Sequence, residues 1–153
     1  MPDARRAFLD TNVYLTATDP KRARHRSALF ALEQWPSRGV RTYTSTQVLR
    51  EYLVVATRPT TANGLGLSPD EALANVEEFE KATEVLPDTL KSWDKLRALL
   101  AESKLTGVRI HDANIAACAL ANGIDTVLTA NSADFHRLPI LTINLESLNP
   151  DGP

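Results

Sequence analysis

The chain has 153 residues, 43% hydrophobic and 24% charged, with one cysteine and a formal net charge of −2. That length and composition describe a single soluble globular domain with enough core to do without disulfide or zinc staples, and the lone Cys118 excludes an internal disulfide and a Cys-rich zinc site. The slight acidity excludes a nucleic-acid binder that works by bulk charge alone, so contact with nucleic acid would need a local basic patch or a metal.

Helical and extended segments alternate along the chain, which predicts an α/β domain built on a mostly parallel sheet. Ala7-Phe8-Leu9 reads as the first strand, ending at Asp10. Asp19-Pro20 reads as a helix entrance, Asp as N-cap and Pro in the first position, with Leu29, Leu32 and Trp35 at helical spacing. Pro36 and Gly39 end that helix, and Val40 to Thr44 is a second strand. A helix is expected from Ser45 or Thr46 to about Thr57. Arg58 to Leu67 is a long polar loop, read as padding in preference to a functional flap. Ser68-Pro69-Asp70-Glu71 is a capping box opening a helix with Leu73, Val76 and Phe79 on one face. Glu84 to Leu86 is a short strand, and Leu90, Trp93, Leu96 and Leu100 mark another amphipathic helix. Asp112 opens an Ala-rich helix that Gly123 closes. Thr126 to Leu128 is a buried strand, Ile140 to Thr142 an edge strand, and residues 149–153 a disordered tail after one domain at 1–148. There is no apolar run long enough to span a membrane and no signal peptide, which fits a cytoplasmic protein.

In open α/β sheets ligands bind beyond the carboxyl ends of the strands. Asp10 stands there, with Thr11 and Asn12 beside it. Asn131 and Asp134 follow the strand that ends near Thr129, and Asp112 starts a helix. Glu51 lies about 60° from Val48 on a helical wheel, at the rim of the apolar face. Each has a bland reading: Asp10 as a turn former, Asp112 as an N-cap, Glu51 as a solvated charge, Asn131 as a turn cap. Together they converge from positions that only the fold can gather. Two carboxylates about 4 Å apart repel by ~4 kcal/mol at an effective dielectric near 20, so such a cluster binds protons or a cation. Oxygen donors without Cys or paired His favour Mg²⁺ or Mn²⁺, which suits phosphoryl-transfer chemistry.

Phe8 to Val13 resembles the opening motif of PIN-domain proteins. Ser45 to Tyr52 with Ala56 to Pro59, His111 to Ala117, and Gly123 to Phe135 resemble the second, third and fourth motifs, in order and with matching spacing. The resemblance runs from Phe8 to about Ile143 and is nearest to VapC-like toxins of toxin–antitoxin pairs. It implies a three-layer α/β/α fold with a four- or five-stranded parallel sheet, and a Mg²⁺- or Mn²⁺-dependent endoribonuclease. It implies Asp10 and Asp112 as direct metal ligands, Glu51 as a ligand or water-orienting group, and Asn131 and Asp134 as completing the water shell. Thr11, Asn12 and Thr129 match the small polar residues that flank the site. Asn131 is neutral where the family also has Asp, which weakens a second metal position. The resemblance further implies a small antitoxin partner and a homodimer.

Lys21, Arg22, Arg24 and Arg26, with His25, form a basic run in the first turns of the expected helix, where cations oppose the helix dipole; the run is a candidate RNA contact. Trp35 and Trp93 read as core, His111 as a structural hydrogen-bonder and Cys118 as a buried small side chain. Two alternatives remain at this point. One is a non-catalytic PIN-like module that binds RNA or a partner. The other is a haloacid-dehalogenase-like phosphatase, which normally needs a second Asp where this chain has Asn12.

Overall fold

The computed structural model describes residues 5–152. Five strands, β1 (Arg6–Leu9), β2 (Arg41–Ser45), β3 (Glu84–Leu86), β4 (Thr126–Thr129) and β5 (Leu141–Asn144), form one sheet in the order β3-β2-β1-β4-β5. Every pairing is parallel. Six helices accompany them: α1 (Thr11–Thr18), α2 (His25–Gln34), α3 (Thr46–Thr57), α4 (Pro69–Ala82), α5 (Leu90–Ser103) and α6 (Arg109–Ala121). The expected α/β fold is therefore present, with five strands in the sheet.

The strand order turns once. β2 and β3 step outward on one side of β1, while β4 and β5 lie on the other. Right-handed crossovers then send α1–α4 to one face and α5 and α6 to the opposite face. The packing agrees: α1 lies on α2 and α3, α3 on α4, and α5 on α6. Sandwiched strands are apolar on both sides, and Ala7, Phe8, Leu9, Val127 and Leu128 are fully buried. The turn in strand order opens a crevice at the carboxyl ends of β1 and β4.

Local signals account for several element ends. Ser68 Oγ accepts from the Glu71 N–H, and Glu71 Oε2 accepts from the Ser68 N–H, both at 3.1 Å, so the capping box starts α4. Ser45 caps α3, its hydroxyl accepting from Val48 N–H at 3.3 Å. Asp19-Pro20 does not start a helix. Asp10 is the N-cap instead, its carboxylate taking the Thr11 N–H, and α1 begins eight residues earlier than Asp19. Asp19 is the C-cap of α1, and its carboxylate accepts from Lys21 N–H at 3.0 Å to form a local turn. Lys21, Arg22 and Arg24 therefore precede α2, and only His25 and Arg26 lie within its first turn.

Trp35 is fully buried, but Trp93 is 55% exposed. The buried stripe of α5 is Ser92, Leu96, Leu99 and Ser103, rotated away from Trp93 and from the exposed Leu90. Leu73 on α4 is likewise exposed while Val76 and Phe79 are buried. Residues 149–152 turn back on the body: Gly152 N–H donates to Asn149 O at 3.1 Å, and Asp151 pairs with Arg26. Among the described residues no helix is long and apolar enough to cross a membrane.

The loop after α3 is tied down. Leu65 N–H donates to Val55 O at 3.1 Å, Leu67 N–H to Ala56 O at 2.9 Å, and Gly66 N–H to Arg58 O at 2.9 Å. Gly64 passes so close to Arg58 that a Cβ would collide with that residue's carbonyl. Gly64→Ala is expected to cost about 1–3 kcal/mol by overpacking backbone against backbone. Urea denaturation checks this, and an unchanged midpoint would show that the loop can move aside.

Candidate active site

Asp10 is placed by two neighbours at once: β1 delivers it to the crevice and α1 begins on it. Only 5% of it is exposed. One carboxylate oxygen accepts from Thr11 N–H at 2.7 Å. The other accepts from the Thr129 hydroxyl at 2.8 Å and from Asn12 Nδ2 at 3.3 Å. Asn12 also reaches across to β4, its Oδ1 accepting from Ala130 N–H at 2.9 Å. Thr11, Asn12 and Thr129 thus hold the carboxylate from three sides.

Glu51 sits on α3, half-buried at the mouth of the same crevice. The Thr11 hydroxyl donates to its Oε2 at 2.8 Å and Gln47 Nε2 to its Oε1 at 2.9 Å. Gln47 is itself buried, and its amide also donates to the His111 carbonyl at 3.1 Å and accepts from Asn114. This amide relay joins α3 to α6. Gln47 and Asn114 were not singled out by sequence, although Gln47 lies one turn before Glu51 and the spacing is a usable signal.

Asp112 lies in the first turn of α6, which begins at Arg109, so Asp112 is inside the helix rather than opening it. Asp134 follows β4 in a single turn of 3-10 helix at Ser132–Phe135. Arg109 bridges these two acids, pairing with Asp134 and standing 3.6 Å from Asp112 Oδ2. Asn131 enters through its backbone, its N–H donating to Thr129 Oγ1 at 3.0 Å, while its side chain is exposed. The His111 ring is exposed, 4.0 Å from Glu51 Oε1, and it is the backbone carbonyl of His111 that takes a structural hydrogen bond.

The electrostatics follow from burial and crowding. Burial pushes the Asp10 carboxyl up to about 6 against the pull of the Thr129 and Thr11 donors, and the charges of Asp112 and Glu51 push it further. Asp112 is also pushed up to about 6, first by burial and then by Asp134; Arg109 pulls it down and Glu51 raises it. Two acids are therefore short of positive charge at neutral pH. Among the described residues no three His, Cys, Asp or Glu side chains stand together as a ready-made metal cage. Mg²⁺ does not require one, because it keeps several waters and takes one or two carboxylates plus a substrate phosphate. The all-oxygen donors and the charge deficit at Asp10 and Asp112 fit such an ion.

The sequence profile of the PIN domain family matches residues 7–141. The chain belongs to the PIN domain family. No curated protein matches it. Solved PIN structures resembling it include the DNA-bound VapBC of Salmonella typhimurium, at 28% identity and TM-score 0.65, covering 92% of this chain and 98% of that one. VapBC2 of Rickettsia felis, bound to a promoter DNA fragment, gives 19% identity and TM-score 0.68 over 91% of this chain and 98% of that one. VapC20 of Mycobacterium tuberculosis, a toxin that cleaves the sarcin-ricin loop, gives 20% identity and TM-score 0.60 over 79% and 86%. This PIN domain thus matches structures of VapC toxins and their complexes.

The basic run has its own partners in this PIN domain. Arg22 lies 3.7 Å from Asp19, Arg24 is 3.3 Å from Glu146, and Arg26 pairs with Asp151. None of these contacts joins it to the acidic crevice.

The raised acids carry a stability cost with a definite sign. An acid whose pKa folding raises favours the folded state below its unfolded pKa, and that contribution is lost as pH rises through about 6. In chelator at pH 7.5, Asp112→Asn is therefore expected to stabilise the PIN domain by roughly 1–2 kcal/mol, a few degrees of melting temperature. The gain should shrink toward zero as pH falls to about 4. Thermal unfolding across that range is the check, and a destabilised variant at pH 7.5 would mean that the carboxylate's contacts outweigh its repulsion.

Proposed function

We propose that this PIN domain is a metal-dependent endoribonuclease that hydrolyses RNA phosphodiesters, and that it is the toxin of a toxin–antitoxin pair. The observation that carries the reading is the gathering of oxygen donors in the crevice: Asp10, buried and held by Thr11, Asn12 and Thr129, with Glu51 fixed by Thr11 and with Asp112 and Asp134 joined by Arg109. In this reading residues 1–148 are one domain acting in the cytoplasm. Asp10 and Asp112 hold Mg²⁺ or Mn²⁺. A divalent ion there supplies a Lewis acid for the phosphate and a lowered pKa for water. Glu51, fixed between Thr11 and Gln47, orients the attacking water. Asp134 and Asn131 complete the polar rim, while Thr11, Asn12 and Thr129 keep Asp10 in one orientation.

Structures similar to this fold include a toxin–antitoxin complex of Klebsiella pneumoniae, and VapC20 is a toxin that cleaves the sarcin-ricin loop. By that likeness the partner is an antitoxin; the motif resemblance adds that this antitoxin is small and that the toxin pairs with a second copy of itself. A groove of about 960 Å³ between α1, α2 and α4 has Leu29, Leu32 and Phe79 on its walls and Glu33, Glu71 and Glu78 among its lining residues. Lys81 also lines it and pairs with Glu78, and Glu71 caps α4, so the apolar walls are what suit an amphipathic antitoxin segment.

The test is cleavage of cellular RNA by the purified protein, with sequencing of the cut ends. Cutting is expected with Mg²⁺ or Mn²⁺ and not with chelator. Asp10→Asn and Asp112→Asn should each lose about 100-fold or more while remaining folded. Failure of the parent to cut RNA overturns the reading, and undiminished cutting by both variants moves the site elsewhere.

A further inference from the structure

Arg109 has no part in the proposed chemistry, yet it occupies the acidic crevice. It is the first residue of α6, where a cation faces the positive end of the helix dipole. That placement is unfavourable in isolation and is offset by the two carboxylates it touches, Asp134 and Asp112. Its side chain is 47% exposed, so the pairing adds little to the fold and can open without unpacking the core. Asp112 is also one of the acids suited to hold a divalent ion. One carboxylate thus faces two cations, one belonging to the chain and one from solution.

We propose that Arg109 is an exchangeable counter-ion. It neutralises Asp112 and Asp134 when no divalent cation is bound and competes with that cation for Asp112. Once displaced, it turns its guanidinium to a backbone phosphate of the RNA. The exchange is chemically natural. A guanidinium presents the same fork of N–H donors to a carboxylate and to a phosphate. A divalent ion at Asp112 both removes the attraction that held Arg109 and repels it toward the anion entering the cleft. The phosphate half of the proposal rests on the ribonuclease reading, whereas the competition half does not.

The experiment compares the parent with Arg109→Gln and Arg109→Lys. Mn²⁺ binding without RNA is followed by the electron paramagnetic resonance signal of the free ion. Arg109→Gln should bind Mn²⁺ about 3- to 10-fold more tightly than the parent, and Arg109→Lys should stay close to the parent. Binding of a hydrolysis-resistant phosphorothioate RNA is then measured by anisotropy. The Gln variant should lose about 3- to 10-fold in the presence of Mn²⁺ and nothing in chelator, where the parent's arginine is already engaged. Melting temperatures in chelator should differ little, which establishes that the variants are folded. Equal or weaker Mn²⁺ binding by Arg109→Gln overturns the competition. An RNA loss as large in chelator as in Mn²⁺ overturns the exchange. If instead the parent cuts no RNA, the ribonuclease reading fails and the Mn²⁺ comparison stands by itself.

Discussion

The structure turns on the gathering of negative charge where the strand order reverses. Asp10 is buried at the end of β1 and remains in the field of Asp112 and Glu51. Burial and like charge both penalise the ionised form, and the donors from Thr11 and Thr129 do not fully compensate. A fold selected for stability alone would place an amide or an apolar group there. The crevice instead keeps a deficit of positive charge, filled in part by Arg109 and left available to an ion of higher charge. The formal charge of −2 is thus less informative than its distribution.

Hydrogen bonds hold the acids in different ways. Asp10 is fixed by its own helix start and by β4, and has little freedom. Glu51 depends on Thr11 and on the buried Gln47, which also fastens α3 to α6. Asp112 and Asp134 meet Arg109 at the more open side. The site grades from rigid to adjustable, with the rigid part on the strands and the adjustable part on the first turn of a helix and a short loop.

The strands were legible because sandwiched strands are short apolar runs, and Phe8-Leu9 and Val127-Leu128 are such runs. The capping box at Ser68 was legible because its two hydrogen bonds are local. α1 was not legible. Its eight residues are rich in β-branched types, and its start signal, Asp10, sits at a strand end where a carboxylate reads first as a ligand. Asp10 caps α1 and lines the crevice with the same carboxylate. Trp93 misled because a helical wheel gives the presence of an apolar stripe but not which part of a broad stripe faces the core, and α5 buries Ser92 and Leu99 instead. The acids at positions 10, 51, 112 and 134 could be named from motifs and topology. Arg109 could not, because an arginine early in a helix has no distinguishing pattern until the facing acids are known.

Asn12 has a consequence for how the protein comes into being. Its side chain ties residue 12 to Ala130, 118 positions away, and Phe8 pairs with Val127, so the central seam of the sheet joins segments far apart in sequence. Contacts between such distant segments are slow to form, because a long loop must close before any energy is returned. During synthesis Asp10, Glu51 and even Asp112 emerge before β4 exists. The crevice that unites them is incomplete until residues 126–130 have left the ribosome and zipped beside β1. A chain cut short before that point would carry most of the acids and none of the cleft. Chain connectivity thereby makes the site wait for a strand that is made after three of its acids.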